Sequence, residues 1–304
     1  MIYNDDVLSI SSILSENRQT RPNHFLKASL CPFCLEHADQ IETVQKEAMT
    51  KEGDHIRIVK NKYPACDEKG MVYGIHDVII ETDDHQKKPW QYGIGHWETL
   101  LWVMQERWLD LAAHPRIHFI QIFKNEGERA GASISHAHSQ IIALEEVPCT
   151  IETHYKKVED YGHKLEKCRL CEEVASGIWR IFTEEGWEIA VPEGMALPDE
   201  TWIMPQKHIN HIGELTKQDR LALAKLIHTV LNVYHKWLGD ISYNLCIMGG
   251  RPKSDTHYHF FVKLLPRTGN FAGFELATGC TINMVSAKTQ RAMMHKMILD
   301  LEGE

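Results

Sequence analysis

The chain sets out one order of parts twice, and that repetition restricts its fold more than any other feature. In the first half CPFC (31–34) is followed by GIHDVIIETDDH ending at His85, a helical apolar pattern in HWETLLWVMQERWLDLAAH, the strand IHFIQIFKN, and SHAHSQIIAL. The second half runs CRLC (168–171), ETWIMPQKH ending at His208, the helical pattern QDRLALAKLIHTVLNVYHKWL, the strand SYNLCIMGG, and HYHFFVKLLP. Matching parts lie 137 residues apart at the cysteine pairs, 123 at His85 and His208, and 121 between His136 and His257. A spacing of that size describes a duplicated domain, since solenoid repeats recur at about 20–50 residues. Short runs rich in Ile, Val and Phe read as strands, and apolar spacings of three and four read as one long helix per half. Each half is therefore an α+β unit, over residues 1–150 and 151–304, with the link between them expected in the polar stretch from Pro148 to Lys167. A terminal helix is expected in KTQRAMMHKMILDLEGE.

Composition narrows the class of partner. The chain has 304 residues and a formal charge of -9, an acidic balance that argues against nucleic acid or an anionic membrane as the main partner. No apolar run approaches the roughly 20 residues that span a bilayer. MIYNDDVLSISSIL lacks the basic-then-apolar order of a signal peptide, so a cytoplasmic location is expected. In a reducing compartment the eight cysteines are thiols or metal ligands before they are disulfides. Cys66, Cys149, Cys246 and Cys280 stand singly and read as small core residues. Trp97 and Trp108 share a helical face with Leu101 and Met104 and read as core.

The paired cysteines point to metal. Zinc takes four tetrahedral thiolate and imidazole ligands, and a C-x-x-C turn brings two thiolates to one ion. Each pair here is followed by a histidine closing an apolar strand and then by H-x-H. The two expected sets are Cys31, Cys34, His85 and His136, and Cys168, Cys171, His208 and His257. Four protein ligands close an ion to substrate, so both sites are expected to be structural.

Residues two apart on a strand point the same way, so His136, His138 and Gln140 form one polar row. Such a row is costly in a half-buried strand unless each member has a partner. With His136 assigned to metal, His138 keeps a free ring and is a candidate nucleophile or base. In the second half HYH is followed by Phe260 and Phe261, with no glutamine matching Gln140. His259 is accordingly expected to pack or to touch substrate.

These residues resemble the histidine-triad superfamily, and within it the branch of galactose-1-phosphate uridylyltransferase and the adenylyl-sugar phosphorylases. NRQTRP is similar to that family's arginine-bearing arm, CPFC to its zinc knuckle, and NKYPA (61–65) with GIHDVIIET (74–82) to its nucleotide-site segments. IFKNEGERAGASISHAHSQ resembles the active-site strand and loop, and GFELATGCTIN the segment that closes over the sugar. Uridylyltransferases usually carry HPH where this chain has His136-Ala137-His138. GNFAGFE also lacks the lysine and tyrosine found beside the glutamate in hexose-specific members.

The resemblance implies a duplicated histidine-triad-like fold, each half an antiparallel sheet with a covering helix and a zinc knuckle, and two structural zinc ions per chain. It implies that His138 attacks the α-phosphate of a nucleotide-sugar, giving a covalent nucleotidyl-histidine that passes the nucleotidyl group to a sugar phosphate or inorganic phosphate. Gln140 and Ser133 would hold the non-bridging oxygens. Asn61, Asn125 and the Gly131 backbone would line the nucleotide and phosphate site, with Arg18 and Arg21 reaching phosphate and Glu275 the sugar. The C-terminal half would be a non-catalytic scaffold and the protein a homodimer. A binding or regulatory protein without turnover, and a hydrolase using water as acceptor, are the competing readings.

Overall fold

The computed structural model describes residues 2–5, 10–15, 31–254 and 257–303. A small hairpin of β1 (Ile2–Asp5) and β2 (Ile10–Ile13) stands apart from the main sheet. The first half contributes β3 (Val44–Met49), β4 (His55–Lys60), β5 (Gly74–Ile80), helix α1 (Ile94–Ala113), β6 (Phe119–Glu126) and β7 (His138–Leu144). The second contributes α2 (Cys149–Leu165), α3 (Arg169–Ser176), β8 (Arg180–Glu184), β9 (Trp187–Ala190), β10 (Thr201–Pro205), α4 (Lys217–Leu238), β11 (Tyr243–Met248) and β12 (Phe261–Pro266). The chain continues through the short α5 (Gly273–Thr278) to α6 (Ala287–Glu302), the terminal helix the sequence leads one to expect.

The two antiparallel halves are joined edge to edge. Ten strands form one sheet in the order β3-β4-β5-β7-β6-β11-β12-β10-β9-β8, so each half supplies five and the second mirrors the first. The seam is the β6–β11 pair, with Asn125 opposite Asn244 and Phe123 opposite Cys246. Pairing there satisfies two strand edges that separate halves would leave exposed.

The two faces differ. On one, α1 and α4 pack together over the sheet: Trp97, Leu101, Met104 and Trp108 of α1 meet Leu223, Ile227 and Val230 of α4, with Ile79, Ile141, Ile203 and Val262 beneath. Thr216 caps α4 in a reciprocal pair with Asp219, satisfying two of its unpaired backbone N–H groups. The opposite face is covered over the second half by α2 and α3. Tyr155 and Val174 bury Met204, Tyr258 and Phe261 there, while over the first half this face carries the CPFC knuckle and a cleft.

The stretch 148–167 is thus not an open link. It folds as α2 because Ile151, Tyr155 and Val158 recur at four and three and seat on that second core. Gly162 continues the stripe, where an added Cβ would lie 2.2 Å from the His257 ring. Cys66 and Cys149 are buried, Cys246 is half-buried, and Cys280 is exposed, so the core reading fails at Cys280, which lies beyond both sheet faces. No helix among the described residues is long and apolar enough to cross a membrane.

Candidate active site

Two Cys/His clusters flank the sheet, one in each half. In the first, Cys34 Sγ lies 3.3 Å from His85 Nδ1 and 3.7 Å from His136 Nδ1, and Cys31 Sγ lies 3.6 Å from His136 Nδ1. A tetrahedral ion with a metal–sulfur bond of about 2.3 Å and a metal–nitrogen bond of about 2.0–2.1 Å sets sulfur and nitrogen about 3.5 Å apart. The donors therefore fit one such ion. His136 Nε2 donates to the Thr82 carbonyl at 2.7 Å, which leaves Nδ1 as the ligand atom, and His85 is held through Ser135 Oγ at 3.0 Å. Outer partners of this kind fix the tautomer of a ligating histidine. Burial pushes both thiols up, Cys34 to about 12, so an incoming cation has to displace their protons.

The second cluster corrects the sequence reading. The structure brings together Cys168, Cys171, His208 and His259, with Cys171 Sγ 3.4 Å from His208 Nδ1 and 3.3 Å from His259 Nδ1. His257 is elsewhere, its ring edge-on to His163 and against Gly162. His259 Nε2 bonds the Pro205 carbonyl at 2.9 Å, as His136 bonds Thr82. The signal was present in the spacing. His136 and His259 are 123 residues apart, as are His85 and His208, and His257 breaks that register by two. The first histidine of one H-x-H thus corresponds to the second of the other, and His138 corresponds to Phe261.

His138 and Gln140 face the cleft of the first half, together with Asn61, Ser133 and an apolar wall that includes Phe33, Val59 and Ile134. His138 Nδ1 donates to the His136 carbonyl at 2.8 Å. The ring's other nitrogen, Nε2, therefore keeps its lone pair while the imidazole is neutral. Burial holds His138 below the usual histidine range, with the hydrogen bond to His136 acting in the opposite sense. The Phe33 ring, carried between the two cysteines of the knuckle, lies 5.3 Å from the His138 ring. The knuckle and the strand of His138 are thereby packed as one unit.

Behind this strand, on the helix-covered face, lies a buried polar cluster that sequence reading did not find. Lys124, only 1% exposed, donates to Glu81 at 3.0 Å, Glu126 at 3.1 Å and the carbonyl oxygen of His138 at 3.2 Å. Glu81 also accepts from Ser139 at 2.5 Å and Tyr92 at 3.2 Å. Burial pushes the Glu81 carboxyl up, but Lys124 and the Ser139 hydroxyl outweigh it and hold it below its ordinary range.

Of the other expected residues, Gly131 ends the turn Glu128–Ala130 at φ +88°, a left-handed conformation that favours glycine. Asn125 accepts from Asn244 Nδ2 at 2.8 Å across the seam. Glu275 is not in this cleft: it is partly exposed and caps its own helix by accepting from the Ala272 N–H at 3.0 Å. Arg18 and Arg21 lie outside the described residues. A larger cavity, bounded by Trp90, His235, Tyr243 and Arg267, contains none of the H-x-H-x-Q row, so size does not identify the chemical site.

Comparison with known proteins gives the family. A family model described as the N-terminal domain of DUF4931, a domain of unknown function, covers residues 14–147. The ADP-glucose phosphorylase of Arabidopsis thaliana is 31% identical, over 97% of this chain and 92% of that protein. The chain belongs to the galactose-1-phosphate uridylyltransferase-like branch of the histidine-triad superfamily. Within that branch, the galactose-1-phosphate uridylyltransferase of Thermotoga maritima is 28% identical over 74% of this chain and 72% of its own. A crystal structure of the Arabidopsis ADP-glucose phosphorylase with bound ADP-glucose superposes with a TM-score of 0.80 at 30% identity, covering 97% of this chain and 98% of that one. A uridylyltransferase structure at 20% identity, with a TM-score of 0.85 over 99% and 98% of the two chains, shares the fold.

Proposed function

We propose that the chain is a nucleotidyltransferase that works through a covalent nucleotidyl-histidine at His138. The observation that carries this is the tautomer: Nδ1–H is committed to the His136 carbonyl at 2.8 Å, so the nucleophilic nitrogen is the other one, in a ring that faces the cleft. In the first step Nε2 bonds to the α-phosphorus of a nucleotide-sugar and the bond from phosphorus to the bridging oxygen breaks, releasing the sugar 1-phosphate. In the second an oxygen of inorganic phosphate or a sugar phosphate bonds to that phosphorus, the N–P bond breaks, and His138 returns neutral. Gln140 and Ser133 donate to the non-bridging oxygens as their charge grows, and fixed donors of this kind are the largest expected contribution. Asn61 serves the nucleotide site from the cleft wall, and the family resemblance assigns phosphate contacts to Asn125, the Gly131 backbone, Arg18 and Arg21.

The likeness to an ADP-glucose phosphorylase over nearly the whole chain, together with HAH in place of HPH, favours ADP-glucose as donor and inorganic phosphate as acceptor. Zinc suits both Cys₂His₂ sets. In the first it would tie Cys31, Cys34 and His85 to His136, whose carbonyl sets the His138 tautomer; its chemistry there is structural.

The second half we read as a non-catalytic scaffold. Phe261 stands where His138 would be, stacked on Trp202 at 4.4 Å. Lys263 stands where Gln140 would be, paired with Glu200 at 3.2 Å. Beyond the sheet, Phe274, Leu276, Ile282 and Met284 are exposed, Met284 by 92%. An apolar segment of that extent around Glu275 suits a homodimer in which a second copy covers it and Glu275 approaches the partner's sugar site. The protein is expected in the cytoplasm.

The test is incubation with ADP-glucose carrying labelled α-phosphate, followed by denaturation. Acid-labile label on the protein, chased to ADP by phosphate, is the expected result. Label chased to AMP by water alone would assign a hydrolase. Neither label nor breakdown with ADP-glucose or UDP-glucose would leave a nucleotide-binding protein without turnover.

A further inference from the structure

Resting on the nucleotidyltransferase reading, we infer that His76 is a positioning residue that sets which end of the Gln140 amide faces the reacting phosphate. His76 is a buried residue of β5, next to β7 in the sheet. It pairs with Ile142, and Gln140 pairs with Val78. Both strands alternate in step, so His76 and Gln140 lie on the same face as diagonal neighbours.

Three contacts determine the hydrogen positions. The backbone N–H of Ala65 points at His76 Nδ1 at 3.0 Å. A main-chain amide can only donate, so Nδ1 is an acceptor and the neutral ring carries its hydrogen on Nε2. That Nε2–H meets Gln140 Oε1 at 3.0 Å, which makes this end of the amide the oxygen. Gln140 Nε2, with two hydrogens and no acceptor among the described residues, is then the end left for a ligand in the cleft that Gln140 lines. Asn61 is fixed in a similar way. Its Oδ1 accepts from the Tyr63 N–H at 2.9 Å, so its Nδ2, 3.1 Å from the same His76 nitrogen, is a second donor that cannot accept the Nε2 hydrogen, which leaves Gln140 Oε1 as the acceptor.

Orientation matters because a glutamine amide is nearly symmetric in shape and opposite in polarity at its two ends. With Nε2 toward the α-phosphate it donates to a growing negative charge. Reversed, it would present a carbonyl oxygen to that charge. The turn NKYPA thus acts at a distance of two bonds: Ala65 fixes His76, and His76 fixes Gln140.

Two measurements test this. On the wild-type protein, long-range ¹H–¹⁵N correlation of the histidine rings should show a neutral Nε2–H tautomer for the signal that disappears in His76→Gln; an Nδ1–H tautomer overturns the inference. For kinetics, His76→Glu places an acceptor against Gln140 and should turn the amide round. It is expected to slow nucleotidyl-enzyme formation about 10²-fold, the scale for loss of one oxyanion donor. His76→Gln, which retains an N–H donor, should stay within about tenfold of wild type. In a Gln140→Ala background His76→Glu should add no further loss, because the two residues act as one unit. An equal slowing in both backgrounds, or none in either, overturns the inference. Failure of the underlying reading shows separately, as wild-type protein that takes no label while its ring tautomer remains measurable.

Discussion

Replacing Lys124 by methionine isolates what the buried cluster contributes, because the change keeps most of the side-chain volume and removes one charge. Lys124 Nζ reaches Glu81, Glu126 and the His138 carbonyl at 3.0, 3.1 and 3.2 Å. Glu126 is part-exposed and can turn to Lys88, 3.6 Å from its other oxygen. Glu81 has no such outlet: it is fully buried and would keep only Ser139 and Tyr92 as side-chain donors. Leaving one member of a buried pair unmatched costs about 3–5 kcal/mol. For a chain of this size each kcal/mol lowers Tm by about 2 °C, so the midpoint should fall by about 6–10 °C. Lys124→Met with Glu81→Gln removes both charges and should recover most of that loss, because an uncharged amide can still accept from Ser139. The assay is urea unfolding of the wild type, both single variants and the double. Additive losses, or a cost below about 1 kcal/mol for Lys124→Met, would refute the reasoning. The pH dependence has a definite sign. Glu81 is held below its ordinary value, so its contribution is complete above about pH 4.3 and disappears as pH falls through the folded value. Lys124 is held above its ordinary value by Glu81 and Glu126 against the opposing effect of burial. Its contribution is complete below about pH 10.4 and is lost as pH rises through the folded value. In Lys124→Met the burial of Glu81 is no longer opposed by Lys124, so the stability gap to wild type should narrow as pH falls, starting above the ordinary carboxylate value where the unpaired Glu81 of the variant takes up a proton.

Further expectations follow from the same geometry. His259→Ala should reduce bound metal from two ions per chain to one by elemental analysis, whereas His257→Ala should leave both in place. Cys34→Ser should weaken the first site and, by loosening Phe33 against His138, slow nucleotidyl transfer as well; Cys280→Ser should change neither. His138→Ala should abolish acid-labile labelling by ADP-glucose while nucleotide binding, followed by calorimetry, persists. Gly127→Ala should cost more than about 1 kcal/mol in urea unfolding, because the new Cβ would sit 2.2 Å from Ser242 Oγ at a φ of +80°.

The parts most legible in the sequence were those written as local spacing. Two C-x-x-C turns, a strand-ending histidine and H-x-H gave all four members of the first Cys/His cluster, and three- and four-residue apolar spacings gave α1 and α4 with Trp97 and Trp108 inward. Less legible was anything decided across strands. His76 is one histidine of nineteen, and nothing beside it in the sequence reveals that Ala65 and Gln140 meet its two nitrogens. Lys124 of β6 and Glu81, just past the end of β5, carry no sequence signal of a partner, because only the sheet register brings them together behind His138. The α2 stripe was obscured by the charged residues between Ile151, Tyr155 and Val158.

The misread histidine bears on the proposal that only the first half carries out chemistry. In the correct register the metal-ligand positions of the two halves agree while the next inward-facing positions diverge, His138 against Phe261 and Gln140 against Lys263. A strand residue two places beyond a ligand shares its face, so each half offers the same place for a nucleophile. In the second half that place is roofed by α2, with Tyr155 and Tyr258 burying Phe261. In the first the corresponding surface is bounded by Phe33, Val59 and Val78 and is left open by the described residues. An imidazole at position 261 would lie beneath an apolar roof without the route to substrate that the open cleft gives His138. Restoring histidine and glutamine at 261 and 263 should therefore create no second labelling site, and a second equivalent of acid-labile label in that double variant would show that side-chain identity, not the covering helix, is what silences this half.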